Sequence, residues 1–150
     1  MSGFRRGVRL GIDVGRARVG VARCDPDGML AVPVETVPRS ETSVARLVEI
    51  AVEYDPIEIL VGLPISLGGA ETASTTDARE FATDLAAAVD APIRLVDERL
   101  STVSANAVLR QNGRSQKASR RIVDQIAAVV LLQQAIDVEK STGNPAGAAL

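Results

Sequence analysis

Three acidic residues occupy positions where a carboxylate can bind a cation. Asp13 is the sole acid in the apolar segment 8–14, Glu98 comes shortly after the apolar segment 93–96, and Asp124 lies early in a long helical pattern. Converging carboxylates repel one another unless a cation joins them, and an all-oxygen ligand set selects Mg²⁺ or Mn²⁺. Two such ions, about 4 Å apart, can activate water and stabilise a leaving oxygen. The predicted chemistry is phosphodiester hydrolysis.

The first acid lies in a segment with strand periodicity. Alternation places Leu10 and Ile12 on one face of the predicted strand and Gly11 and Asp13 on the other. A buried carboxylate without a partner is costly, so Asp13 must either bind a cation or serve the turn that begins near Gly15. Both interpretations stay open on this motif alone.

The second acid has an acidic neighbour. Asp97 and Glu98 lie where a strand ends and a helix begins, which is where open α/β sheets place their ligands. They can equally favour the positive end of a helix capped by Ser101 or Thr102. Adjacent side chains point in different directions, so we assign the site to Glu98 and leave Asp97 to support the ligand or the turn.

The third acid has small neighbours. Ala127 and Ala128 lie one turn beyond Asp124 on the same side of the predicted helix, so the helix can approach the sheet closely there. A short aspartate would then reach the first strand. The alternative is a surface ion pair with Arg120 or Arg121, but a base placed N-terminal to an acid is the less favourable orientation on a helix.

The composition removes most other catalytic chemistry. The chain has no histidine, which excludes Ser-His and Cys-His nucleophiles and imidazole acid/base catalysis. A lone cysteine, Cys24, cannot form an internal disulfide, and there is no Cys/His set for zinc. We expect Cys24 to be a packing residue, the alternative being an exposed thiol that crosslinks two chains into a homodimer. An enzyme of this composition must use carboxylates and metal.

The basic residues indicate a polyanionic partner. The net charge is only −2, but arginines crowd residues 5–23 and bases crowd residues 110–121, so two basic clusters could meet in space. Three aromatic residues are too few to hold single strands by base stacking. The glycine-bearing loop 62–69 could bring backbone N–H groups close to phosphate, or be an ordinary turn. The predicted nucleic-acid contacts are Arg18, Arg99, Arg114, Lys117, Arg120 and Arg121.

The hydrophobic pattern predicts an α/β fold. Strand patterns indicate three antiparallel strands and then two parallel ones, over 8–14, 18–24, 29–36, 57–63 and 93–96. Helical patterns cover 42–54, 75–89, 101–111 and 119–138. This element order is that of an RNase H-like fold, with a five-stranded mixed sheet flanked by helices.

The length and composition favour one domain. With 150 residues and 46% hydrophobic content, the chain can bury one continuous core. We assign residues 1–140 to an RNase H-like domain and residues 141–150 to a flexible C-terminal tail. No apolar run reaches the roughly 18 residues of a membrane helix, and the N-terminus lacks the apolar stretch of a secretory signal. We therefore expect a cytoplasmic protein with no membrane partner.

Four motifs in the same order resemble the YqgF/RuvX family over about residues 8–136. They are Gly11-Ile12-Asp13-Val14-Gly15 with Arg18-Val19-Gly20-Val21-Ala22, Val61-Gly62-Leu63-Pro64, Asp97-Glu98-Arg99-Leu100-Ser101-Thr102, and Asp124 followed by Ala127 and Ala128. The resemblance implies an RNase H-like fold related to Holliday junction resolvases, and a nuclease that matures the 5′ end of the small-subunit ribosomal RNA precursor. It implies that Asp13, Glu98 and Asp124 match the family's acidic positions.

One loop departs from the family pattern. Family members often carry Asn and Asp after Gly-Leu-Pro, where this chain has Ser66 and Gly68. This difference weakens any role of the loop as a metal ligand or as a specific contact to a base.

Three functions follow from these features. The leading hypothesis is a metal-dependent nuclease acting on structured nucleic acid, with pre-16S ribosomal RNA favoured and a four-way DNA junction as the alternative. An actin- or sugar-kinase-like ATPase also begins with an Asp-x-Gly strand and a hairpin, but it usually needs two such domains. An RNase H-like module that binds nucleic acid, or a transcription or ribosome factor, without cutting is the non-enzymatic rival. Retention of all three acids argues against that rival.

Overall fold

The computed structural model describes residues 4–66, 68–97 and 116–150, without the side chains of residues 116–124. Its strands are β1 (Arg9–Val14), β2 (Arg18–Cys24), β3 (Ala31–Pro38), β4 (Glu58–Leu63), β5 (Ile93–Asp97) and β6 (Ala148–Ala149). Its helices are α1 (Ser43–Tyr54), α2 (Ala73–Ala86) and α3 (Gln116–Thr142). The helix predicted over 101–111 lies outside the described residues. The long helix, predicted over 119–138, is longer at both ends.

The sheet has the order β3-β2-β1-β4-β5-β6. Strands β1, β2 and β3 form an antiparallel meander, and β1, β4 and β5 run parallel, which confirms the five predicted strands and their directions. The sixth strand was not predicted, since it lies in the segment assigned to a flexible tail. Ala148–Ala149 pairs antiparallel with β5, and the Leu150 N–H donates to the Ile93 carbonyl at 3.0 Å. Two alanines carry no periodicity by which a strand could be predicted.

The two faces of the sheet carry different cores. One face, with Leu10, Ile12 and Val14 of β1, packs against α1 and α2 in the larger cluster. On the opposite face, a cluster of mostly small residues fills the interface between the sheet and α3. It includes Ala22 of β2 and Ala128 and Ala135 of α3. The predicted alternation in β1 is thus confirmed. Among the described helices, α3 included, none is long and apolar enough to cross a membrane.

Helix α3 lies very close to the sheet at Gly11. A Cβ at this position would lie 2.8 Å from the Cβ of Leu132 and 3.0 Å from the carbonyl oxygen of Ala128. Ala128 is fully buried, as the sequence predicted for this part of the helix. The helix lies against β1 here because Gly11 has no side chain, which is a packing requirement and not one of backbone conformation.

A buried ion cluster joins the far end of α3 to the start of β1. The Glu139 carboxylate accepts hydrogen bonds from Arg9 Nη2 at 2.8 Å and from Arg5 Nη2 at 2.7 Å, and Arg9 is 1% exposed. Arg5 also contacts the buried Glu58, and the Arg9 guanidinium lies 4.1 Å above the Phe4 ring. Each buried charge therefore has an opposite charge beside it, which is the condition for burying it at tolerable cost.

Cys24 is a packing residue, as predicted. It is fully buried in the small-residue cluster beneath α3, and its Sγ accepts a hydrogen bond from the Arg9 N–H at 3.3 Å. Burial raises the pKa of this thiol. A buried, protonated thiol is a poor nucleophile, so crosslinking through Cys24 is disfavoured.

Replacing Gly11 by alanine tests the close approach of α3. The added Cβ would meet backbone and a Cβ, neither of which is a flexible side-chain end, so we expect destabilisation of about 1–3 kcal/mol from overpacking. Gly68→Ala is the matched control, because its nearest heavy atom would be 4.0 Å away. Chemical denaturation measures both variants. Equal stability of Gly11→Ala and the parent would contradict the described packing.

Glu139→Gln tests the ion cluster. Removing the carboxylate leaves the buried Arg9 without its counter-charge, and we expect a loss of about 3–5 kcal/mol in unfolding free energy at pH 7. Burial alone would raise the pKa of Glu139, but the Arg5 and Arg9 contacts hold it below its ordinary value. This stability is therefore present above the pKa of an unfolded glutamate and is lost as pH falls through the lower folded pKa.

Denaturation across pH provides the check on Glu139. The parent should lose stability in acid more steeply than Glu139→Gln, since the variant has no carboxylate to protonate at this position. Asp137→Asn, on the same helix but exposed, should change stability by less than about 0.5 kcal/mol. If the free energy of unfolding falls equally steeply in acid for the parent and for Glu139→Gln, the ion cluster is not the cause of the pH dependence.

Candidate active site

The candidate site lies at the edge of the sheet where its three parallel strands end. The last residues of β1, β4 and β5 are Val14, Leu63 and Asp97, and Leu63 pairs with Asp97. Asp13, the last residue but one of β1, is half-buried at this edge. Ligands of open α/β sheets bind outside the carboxyl ends of the strands, so Asp13 lies where such a ligand would be bound.

Asp13 is flanked by residues without side chains. It pairs with Gly20 on β2, and Gly62 on β4 follows Val61, the partner of Ile12. Residues in register on neighbouring strands face the same side of a sheet. The strand positions on either side of Asp13 are therefore glycines, which add no side chain to this face of the sheet.

The same row continues to β3. Gly20 pairs with Thr36, so Asp13 and Thr36 share the α3 face and are separated by the glycine. The Gln125 Nε2 of α3 donates a hydrogen bond to the Thr36 Oγ1 at 2.8 Å. Helix α3 therefore crosses the row that contains Asp13 at the level of Gln125.

The direction of α3 places Asp124 above this row. The helix runs antiparallel to β1, since Glu139 meets Arg9, and Leu132 and Ala128 meet Gly11. Asp124 precedes Gln125 and lies one helical turn before Ala128. The structure describes the backbone of Asp124 but not its side chain, and it brings that backbone to the level of Asp13.

The turn after Asp13 is held by Arg39. Its Nη1 donates to the Gly15 carbonyl at 2.9 Å, and its guanidinium forms a two-point ion pair with Asp77 of α2 at 2.9 and 3.0 Å. The hydrogen bonds from Arg39 lower the pKa of Asp77. Gly15 accommodates the tight turn, since a Cβ there would lie 2.7 Å from the Arg18 carbonyl oxygen. Arg39 thus ties the end of β1 to α2.

The loop after β4 uses its own backbone groups. The Ser66 N–H donates to the Ala70 carbonyl, the Gly69 N–H donates to the Ser66 carbonyl, and the Ala70 N–H donates to the Ser66 hydroxyl. The Thr75 hydroxyl donates to the Pro64 carbonyl and joins the loop to α2. The prediction that the loop 62–69 offers N–H groups to phosphate is not supported at Ser66 and Gly69, because their N–H groups have partners within this segment.

The predicted site residues are described to different extents. Asp13 and Arg18 are both half-buried at the carboxyl edge, and Arg18 shares the face of Gly20. Glu98, Arg99 and Arg114 lie outside the described residues. Asp124, Lys117, Arg120 and Arg121 belong to the first turns of α3, with their backbone alone described. Within the described part of the chain there is no group of three His, Cys, Asp or Glu side chains that could hold a metal.

Arg5 and Arg9, of the basic cluster at residues 5–23, do not contribute to a surface shared with the basic cluster at residues 110–121. Both residues bind Glu139 near the amino end of β1, at the opposite edge from Asp13. Thr36, Arg39 and Gln125 are contacts at the carboxyl edge that the sequence reasoning missed. Gln125 could have been noticed because it is next to Asp124 in the sequence. Thr36 and Arg39 depend on long-range contacts, which residue spacing does not reveal.

Comparisons with known proteins find relatives over most of the chain. Residues 7–138 match the family model RuvX, described as Holliday junction resolvase. A relative from Clavibacter michiganensis is 52% identical over 97% of this chain and 92% of its own length, and one from Streptomyces coelicolor is 51% identical over 96% and 88%. Both are named "Putative pre-16S rRNA nuclease".

Solved structures share the fold. The RuvC protein of Thermus thermophilus in complex with a Holliday junction substrate has a TM-score of 0.59 and 18% identity, covering 95% of this chain and 99% of that one. The fowlpox virus resolvase with Holliday junction DNA has a TM-score of 0.52 and 9% identity, covering 87% and 97%. These neighbours are resolvases with the RNase H-like fold predicted from the sequence. From the family match and the close relatives, this chain belongs to the RuvX family.

Proposed function

We propose that this protein is a nuclease that hydrolyses phosphodiester bonds of structured nucleic acid, with Asp13, Glu98 and Asp124 as its catalytic carboxylates. The observation that carries the proposal is the convergence at the carboxyl edge. Asp13 lies there between two glycine positions, and the α3 turn that contains Asp124 crosses the same row of the sheet. The names of the relatives support a nuclease that processes pre-16S ribosomal RNA, and hence a role in ribosome biogenesis in the cytoplasm.

Glu98 completes the set in this proposal. It follows Asp97, the last residue of β5, and β5 is two strands away from β1. Neighbouring strands are about 4.8 Å apart, so β1 and β5 are separated by about 10 Å, and Gly62 of the intervening strand adds no side chain. A glutamate is long enough to share an ion with Asp13 across this distance. Val96, two residues before Glu98, packs on the α3 side of the sheet.

The donor set fits Mg²⁺ or Mn²⁺. All three proposed ligands are carboxylates, and these hard cations prefer oxygen. The strand positions beside Asp13 are glycines, so neither neighbouring strand adds a side chain next to this carboxylate. When bound, the metal would activate water and neutralise charge at the scissile phosphate. The chain's own residues hold the ligands, with Arg39 fixing the turn after Asp13.

A four-way DNA junction is the second candidate substrate. The family description names Holliday junction resolvase, and the two solved neighbours contain junction DNA. Those neighbours are under 20% identical and so support the fold, whereas the relatives named for pre-16S rRNA are about half identical. Identity at this level favours the RNA substrate. Cleavage of both substrates under the same conditions decides between them.

The three acids should behave as a unit in a metal-dependent cleavage assay. Asp13→Asn, Glu98→Gln and Asp124→Asn should each reduce turnover by well over about 100-fold, because each removes a direct ligand, whereas a supporting partner typically costs about 10–100-fold. Without metal the same variants should be as stable as the parent or more so, since repulsion between carboxylates is relieved.

Thermal shift on the same preparations completes this test. Mg²⁺ or Mn²⁺ should raise the melting temperature of the parent by linkage, and should raise that of the variants less. Asp84→Asn is the control, because Asp84 is an exposed acid of α2 that is assigned neither as a ligand nor as a residue supporting one. If the three variants are less stable without metal and retain activity, the acids are structural and the nuclease assignment fails.

The basic residues early in α3 should carry phosphate binding. Lys117→Ala and Arg121→Ala should each weaken binding to all sequences and reduce the slope of log affinity against log salt by about one for each phosphate that is no longer bound. Arg6→Ala is the control, because Arg6 pairs with Asp27 near the opposite edge of the sheet. Binding isotherms at several salt concentrations provide the slopes. Unchanged slopes for Lys117→Ala and Arg121→Ala would show that this basic face is not the binding surface.

A further inference from the structure

We propose that Gln125 is a positioning residue that, through its hydrogen bond to Thr36, fixes where the Asp124 turn of α3 lies along the sheet. The inference rests on the proposed metal site, and it adds a residue that determines where one of the metal ligands lies. Gln125 Nε2 and Thr36 Oγ1 are 2.8 Å apart, and Thr36 belongs to the row that contains Asp13. The contact therefore links the residue next to one proposed ligand with the sheet row of another.

Among the side chains that the structure describes, Gln125, Gln133 and Lys140 of α3 make polar contacts with the β3 side of the sheet. Besides the Gln125 contact, the Gln133 Oε1 accepts from the Ala31 N–H at 2.9 Å, and the Lys140 Nζ donates to the Gly28 carbonyl at 2.8 Å. Successive contacts are about two helical turns apart, so they lie along one stripe of the helix. The Gln133 and Lys140 contacts are on the half of α3 that is distant from Asp13.

Apolar packing alone does not fix the axial position of this part of α3. Small buried residues on the sheet-facing side of the helix, such as Ala127 and Ala128, let it lie close to the sheet. A hydrogen bond has a much narrower range of acceptable geometry than an apolar contact. A helix rises about 1.5 Å per residue, whereas metal–ligand distances are held within about 0.2 Å. Even a small axial shift near Gln125 would therefore displace the Asp124 carboxylate from a metal shared with Asp13.

The matched controls come from the chain itself. Gln125→Met removes the donor with nearly the same side-chain length, Thr36→Val removes the acceptor with nearly the same shape, and Thr36→Ser restores a hydroxyl. Gln133→Met removes the equivalent contact two turns further along the same helix to the same strand. One hydrogen bond is a small part of the total stability, so all four variants should fold.

Mn²⁺ binding to the metal-free protein, measured by calorimetry without nucleic acid, tests the inference. Gln125→Met and Thr36→Val should each weaken Mn²⁺ binding by about 10-fold or more, and the double variant should be no weaker than either alone, since both remove one interaction. Thr36→Ser and Gln133→Met should bind like the parent. Cleavage at saturating metal should recover more fully in Gln125→Met than in Asp13→Asn.

The outcomes separate this inference from the proposed function. If the parent binds Mn²⁺ and Asp13→Asn does not, the metal site stands, and parent-like binding by Gln125→Met and Thr36→Val overturns the inference alone. Weakening of equal size in Gln133→Met also overturns it, because the contact would then be a general attachment of the helix. If the parent neither binds Mn²⁺ nor cleaves, the proposed site and the positioning role fail together.

Discussion

The close approach of α3 to β1 at Gly11 is the constraint on which the rest of the site depends. A Cβ at Gly11 would lie only 3.0 Å from the Ala128 carbonyl oxygen and 2.8 Å from the Leu132 Cβ, so the helix is closer to the strand here than a larger residue would allow. A short aspartate can bridge from α3 to the strand only at such a distance. The proposed ligand pair Asp13 and Asp124 is therefore linked to a glycine two residues before one of them and to an alanine one turn after the other.

One face of β1 carries three different functions along its length. Arg9, at the amino end, binds Glu139 and anchors the far end of α3, and Gly11 sets the helix-to-sheet distance. Asp13, at the carboxyl end, is one of the proposed catalytic carboxylates. The charges at the amino end neutralise one another in a buried cluster, so that end contributes stability and not binding. The proposed carboxylates can then be grouped around a cation at the carboxyl edge. Their mutual repulsion costs stability, which the packing of the rest of α3 offsets.

Local patterns predicted most of the fold, and long-range pairings explain what they missed. Alternation in β1 correctly separated Ile12 from Asp13, and the paired alanines correctly indicated a close approach. The contact between Thr36 and Gln125 depends on strand register and on the path of a helix 89 residues away in sequence. Arg9 likewise looks like any surface arginine until Glu139 is brought beside it. Hydrophobic periodicity contains no information about such pairs.

The glycines on both sides of Asp13 bear on how the site can discriminate between ions and substrates. Gly20 and Gly62 add no side chain from the strands beside Asp13, so the strand spacing sets the separations between residues of this row. Ligands held at fixed separations suit the small, strictly octahedral Mg²⁺ better than the larger and more variable Ca²⁺. Asp13 and Glu98 are positioned by β1 and by the end of β5, whose separation is set by the sheet. Asp124 is the one proposed ligand that belongs to a helix, so its position depends on how accurately α3 is held against the sheet.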